Sequence, residues 1–118
     1  LNRGIVLVRL SRFGEAEPVL RKAVKTQEQS APAHYFLAQA VASQNQSRFP
    51  EAEKEFVMAV KLGGDDMKEA HRFLAILYGA RGDKKKQAAE LEIYLRLVPT
   101  ARDAEQLRQV LEKLKSSP

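Results

Sequence analysis

The chain has 118 residues, room for one domain rather than two, and its 44% hydrophobic and 30% charged residues exclude disorder. The absence of cysteine excludes disulfides, thiolate metal sites and a cysteine nucleophile, and no apolar run approaches the roughly 20 residues that span a bilayer. The net charge of +5 comes from 20 basic residues interleaved with 15 acidic ones, the pattern of a solvated surface.

Ala, Leu, Glu, Lys, Arg and Gln dominate, all good helix formers. The chain opens in Leu1-Asn2-Arg3-Gly4 with no signal peptide, and reads as the interior of something longer. Helical periodicity and breakers predict seven helices, over about 1–10, 13–28, 32–45, 49–62, 67–80, 84–97 and 101–115. Pro32 and Pro50 stand near helix starts, where a missing N–H costs nothing. Gly63-Gly64 and Pro99 mark stops.

The segments repeat. Residues 12–24 read RFGEAEPVLRKAV and residues 48–60 read RFPEAEKEFVMAV, an interval of 36. A diverged third copy, DKKKQAAELEIYL, starts at Asp83, 35 residues further on. The other half of the unit repeats as HYFLAQAV from His34 and HRFLAILY from His71. The opening RGIVL looks like the tail of one more copy, with Gly4 in the place of Ala38 and Ala75.

This pattern resembles the tetratricopeptide repeat. That unit of about 34 residues places a large residue, Leu-Gly and Tyr on its first helix, then Gly, Ala, Phe and Pro. The third copy supplies His71, Leu74-Ala75, Tyr78, Gly82, Leu91 and Pro99; the second supplies His34, Leu37-Ala38, Val41, Ala52 and Phe56. The first, truncated copy supplies Gly4, Leu7, Ala16, Leu20 and Ala23. Trp is absent, Gln87 stands where a small residue is usual, and the stretch around Gln44-Asn45-Gln46 widens the second turn. The last third is similar to tetratricopeptide proteins of bacteria.

The resemblance implies an all-α fold, an α-solenoid of antiparallel helix pairs wound into a right-handed superhelix. The expected divisions are a partial first repeat over 1–30, a second over 31–65, a third over 66–100 and a capping helix over 101–115. Its stripe of Ala104, Leu107, Leu111 and Leu114 would cover the last apolar face. Phe56, Leu74, Ala38, Ala52, Ala75 and Leu91 are the expected core.

The chemistry-bearing residues read as structural. His34 and His71 occupy equivalent repeat positions, about 10 Å or more apart, where packing is the expectation and a shared zinc is not. Ser11, Ser30, Ser43, Ser47, Ser116 and Ser117 fall at caps, turns or the tail. Asp65-Asp66 precede a helix, where aspartates satisfy free amide donors. Lys84-Lys85-Lys86 reads as a solvated turn, with Glu90 and Glu92 close behind and no interleaved aromatics for nucleic acid. No enzyme, metal, cofactor, nucleic-acid or membrane-spanning function is expected.

What remains is the concave groove that first helices line in proteins similar to this one. The expected lining is Ile5, Val8 and Arg9, then Tyr35, Gln39, Ala42 and Ser43, then Arg72, Ile76, Gly79 and Ala80. Ile5, Gln39 and Ile76 stand where related modules that grip a C-terminal carboxylate carry Lys and Asn. The expected function is a protein-interaction module that binds a peptide segment of a partner. The alternative is a structural or self-association segment of a longer solenoid. The apolar crowd of Leu1, Ile5, Val6, Leu7, Val8 and Leu10 suggests an uncapped N-terminal face and, through it, a homodimer.

Overall fold

The computed structural model describes residues 1–116; Ser117, read above as a tail residue, lies outside them. The helices are α1 (Asn2–Arg9), α2 (Phe13–Thr26), α3 (Ala31–Ala42), α4 (Phe49–Gly63), α5 (Lys68–Arg81), α6 (Lys84–Leu97) and α7 (Ala104–Ser116). Short 3-10 turns over Gln46–Arg48 and Gly64–Met67 flank α4, and no strand occurs among the described residues. Contacts group the chain into two compact units, Leu1–Met67 and the part from Lys68 on. In the first, α1 packs on α2, α2 on α3 and α3 on α4, and α1 also touches α3. In the second, α5 packs on α6 and α6 on α7.

The boundaries follow local chemistry. Ser30 caps α3 by accepting from the Ala33 N–H at 3.2 Å, and Asp83 caps α6 by accepting from the Lys86 N–H at 3.1 Å. Gly64 ends α4 at φ 58°, ψ −136°, a conformation open to glycine and strained for other residues. The widened second turn is the 3-10 turn at Gln46–Arg48, held by the Asn45 side chain accepting from the Ser47 N–H at 2.9 Å. Asp65 and Asp66 sit in the second 3-10 turn, ahead of α5. Helix α7 starts at Ala104 rather than 101, because residues 101–103 turn first: the Ala101 N–H bonds back to the Val98 carbonyl and the Ala104 N–H to that of Ala101.

Small residues set the close helix contacts, as the repeat pattern requires. Ala38, Ala52 and Phe56 are fully buried in the first unit, and Leu74, Ala75 and Leu91 are buried in the second. At Gly4 a Cβ would stand 2.5 Å from Leu20 Cδ2, so α1 reaches α2 only because the side chain is absent. The bulky Gln87 of α6 is accommodated from the other side of its hairpin. A Cβ on Gly79 of α5 would lie 2.8 Å from Gln87 Nε2, so the small residue has moved to the facing helix.

Charged side chains brace the first unit. Glu17 of α2 accepts from both Arg48 guanidinium nitrogens at 2.8 and 2.6 Å, from Arg21 at 2.6 Å and from Gln44 at 2.8 Å. Glu51 joins by accepting from Arg21 at 2.7 Å and from Arg48 at 2.9 Å. The Arg48 hydrogen bonds, helped by those of Gln44 and Arg21, hold the Glu17 carboxyl down at about 2. A carboxyl depressed in the folded state contributes stability above its unfolded value near 4.5, and that contribution is lost as pH falls toward 2. The expected result is a wild-type melting temperature that drops between pH 5 and pH 2 partly through Glu17. Glu17→Gln should melt lower at pH 7 and show a shallower drop across the acid range. Parallel curves for the two proteins would remove Glu17 from the acid response.

Candidate functional site

The expected surface is built from the first helix of each repeat. On α3, Tyr35 and Gln39 lie one turn apart on one face, both half-buried, and Ser43 follows at the exposed C-cap. Tyr35 leans edge-on against Phe56 at a centroid distance of 5.9 Å and against Phe36 at 5.0 Å, so its ring is braced from below. On α1, half-buried Ile5 and exposed Arg9 share a face. Val8 does not join them. It is 4% exposed and buried with Gly4, four residues earlier, on the adjacent stripe of α1, which closes onto the neighbouring helices. Of the expected lining residues on α1, Val8 is thus packed in the core.

On α5, Arg72 and Ile76 are one turn apart, and Ile76 is 54% exposed. The Arg72 guanidinium forms a two-pronged pair with Asp103, at 2.8 and 2.6 Å, where the turn enters α7. It stands 5.6 Å from the centre of the Tyr94 ring and donates to the Tyr94 hydroxyl at 3.5 Å. That hydroxyl donates in turn to Glu69 at 3.4 Å. Hydrogen bonding from Arg72 holds the Asp103 carboxyl below the usual range, and Asp103 raises Arg72. Around this pair runs a cleft of about 510 Å³, lined by Glu69, Arg72, Tyr94, Val98, Arg102 and Asp103. Arg72 is therefore a positioned cation, held by an aromatic face and a carboxylate rather than swinging free.

Sequence reasoning missed the partners of Arg72. Asp103 lies 31 residues away, in a turn that reads as the start of a helix. It also missed a pair that recurs. His34 Nδ1 bonds Glu55 at 2.7 Å while its Nε2 bonds the Glu28 carbonyl at 2.9 Å; His71 Nδ1 bonds Glu90 at 2.6 Å. Both histidines are buried. The signal was present: Glu55 and Glu90 hold the eighth place in the copies starting at Arg48 and Asp83, and both follow a repeat half that opens with His. The first copy has Val19 in that place. Each pair ties the first helix of a repeat to its second. No group of three or more His, Asp or Glu suited to a metal ion occurs among the described residues.

The family model for the tetratricopeptide repeat matches residues 1–56. No curated protein compared with the chain matches it. Residues 1–56 are tetratricopeptide repeat sequence, and the paired helices and recurring copies beyond them support the same family. Such repeats are typically non-enzymatic scaffolds, and the chain is a protein-interaction module in that general sense. Among the described residues no helix is long and apolar enough to cross a membrane.

Proposed function

We propose that the chain docks a peptide segment of a partner protein on the exposed faces of its first helices. The observation that carries this is the α5 face. There an exposed Ile76 stands one turn from an Arg72 that is already oriented by Asp103 and Tyr94. An apolar anchor beside a fixed, planar donor suits a segment with an apolar side chain and a carboxylate or backbone carbonyl nearby. Pre-positioning lowers the ordering cost of binding. Ile5 and Arg9 on α1, and Tyr35, Gln39 and Ser43 on α3, offer comparable mixed faces within the first unit.

The test is selection from a displayed peptide library, followed by affinity measurements on variants. Ile76→Asp changes an exposed side chain and should leave helicity intact while weakening the selected peptide about tenfold or more. Gln39→Glu in the first unit and Arg72→Glu in the second, measured separately, should each weaken capture. Full affinity in these variants would place binding elsewhere.

Self-association is the second reading, and α1 favours it. Val6 is 53% and Leu10 59% exposed, one turn apart on the same face. A homodimer through this face would appear in light scattering across a dilution series and be broken by Leu10→Lys. A wild-type monomer at high concentration rules that reading out.

A further inference from the structure

Charge is divided unevenly along the chain. The part from Lys68 on holds 11 of the 20 Lys and Arg but 7 of the 15 Asp and Glu, so four of the five net positive charges fall there. Much of that excess gathers at one place. Lys84 and Lys85 of α6 and Lys115 of α7, far apart in sequence, rim one cleft of about 480 Å³. Its lining is otherwise Ala88, Ala89 and Leu114, with Glu92 at the edge. Lys115 pairs with Glu92 at 2.7 Å. Among the described residues no ion pair holds Lys84 or Lys85, and both are exposed. They lie in the first turn of α6, where the helix dipole opposes cations, so their placement costs the fold stability. The lining is distinct from the residues around Arg72.

We propose that this α6–α7 cleft is a docking site for an acidic peptide segment that carries an apolar side chain between its carboxylates. The two unpaired lysines, with Lys115, supply the complementary charge, and that charge steers an anionic segment toward the cleft. Ala88, Ala89 and Leu114 supply a small apolar floor that an acidic chain alone would leave unused. A nucleic acid fits less well. No aromatic side chain lines the cleft for a base to stack on, and a carboxylate sits on its rim. This site stands independently of the α5 face.

The experiment titrates the intact chain with a short synthetic peptide, a central leucine flanked on each side by two acidic residues, and follows amide and methyl signals by NMR. Saturable shifts should concentrate at Ala88, Ala89 and Leu114. Lys84→Glu with Lys85→Glu should weaken the peptide about tenfold or more, and the milder double Gln variant by less. Lys54→Glu with Lys61→Glu in the first unit, and Ile76→Asp, should each leave affinity within about twofold. Serine in place of the central leucine should cost about threefold or more. Circular dichroism confirms that each variant is folded. The proposal is overturned if the shifts do not saturate, if the lysine variants bind as wild type does, or if the serine peptide binds equally well. It is also overturned if an oligothymidylate of the same charge binds as tightly, which would make the cleft a phosphate-backbone surface.

Discussion

Phe56→Ala should lower the stability of the first unit by about 3–5 kcal/mol, the largest effect expected of any single substitution here. Phe56 is completely buried. It lies on α4, the helix that α3 packs against, and Tyr35 of α3 rests edge-on against its ring. Ala52 and Ala59 on the same helix are fully buried too, and their small size draws the neighbouring backbone close. Truncation therefore removes the largest of the fully buried side chains, from a helix whose other buried residues are small. The walls cannot collapse without moving whole helices, so the cavity persists. Urea denaturation gives the value, with an unchanged m-value as the check that one transition is being compared. A shift below about 1 kcal/mol would mean that Phe56 is not the centre of this packing.

Leu74→Ala should cost the second unit about 2–5 kcal/mol by the same mechanism. Leu74 is 2% exposed and is accompanied on α5 by buried Ala70, Ala75, Leu77 and Tyr78. Its environment differs from that of Phe56 in one respect. The buried side chains of the second unit are mostly large, Leu77 and Tyr78 of α5 with Leu91 and Tyr94 of α6, whereas alanines accompany Phe56 on its own helix. Hydrogen exchange separates this effect from that of Phe56→Ala. Amides of α5 and α6 should lose protection in Leu74→Ala, whereas those of α3 and α4 should lose it in Phe56→Ala. Loss spread evenly over the chain in both variants would contradict the division into two sets of core contacts.

The core was legible because it repeats. Aligning the copies at Arg12 and Arg48 puts Ala16 over Ala52 and Leu20 over Phe56, and all four are buried. A position that must be small or large for close packing shows itself twice. Surface and site residues gave weaker signals, for physical reasons. Helix spacing alone could not assign Val8, because α1 has apolar residues on most sides; burial of Gly4 against Leu20 fixes which stripe turns inward. Arg72 was picked from its face of α5, but the side chains that hold it come from α6 and the turn before α7, and no local periodicity links them. The His–Glu pairs lie between these cases. Their spacing is visible in the copies, yet only the folded hairpin shows that each His and Glu meet.

The central claim is that the first-helix faces take up a peptide, and the most direct measurement is NMR titration of the chain with a peptide selected on it. The guanidinium signal of Arg72 and the methyl signals of Ile76 should shift together and saturate with one binding constant, while the methyls of buried Val8 stay in place. Ile76→Asp should raise the dissociation constant about tenfold or more. Saturating shifts elsewhere, with Arg72 and Ile76 unmoved and the variant binding as wild type does, would contradict the account.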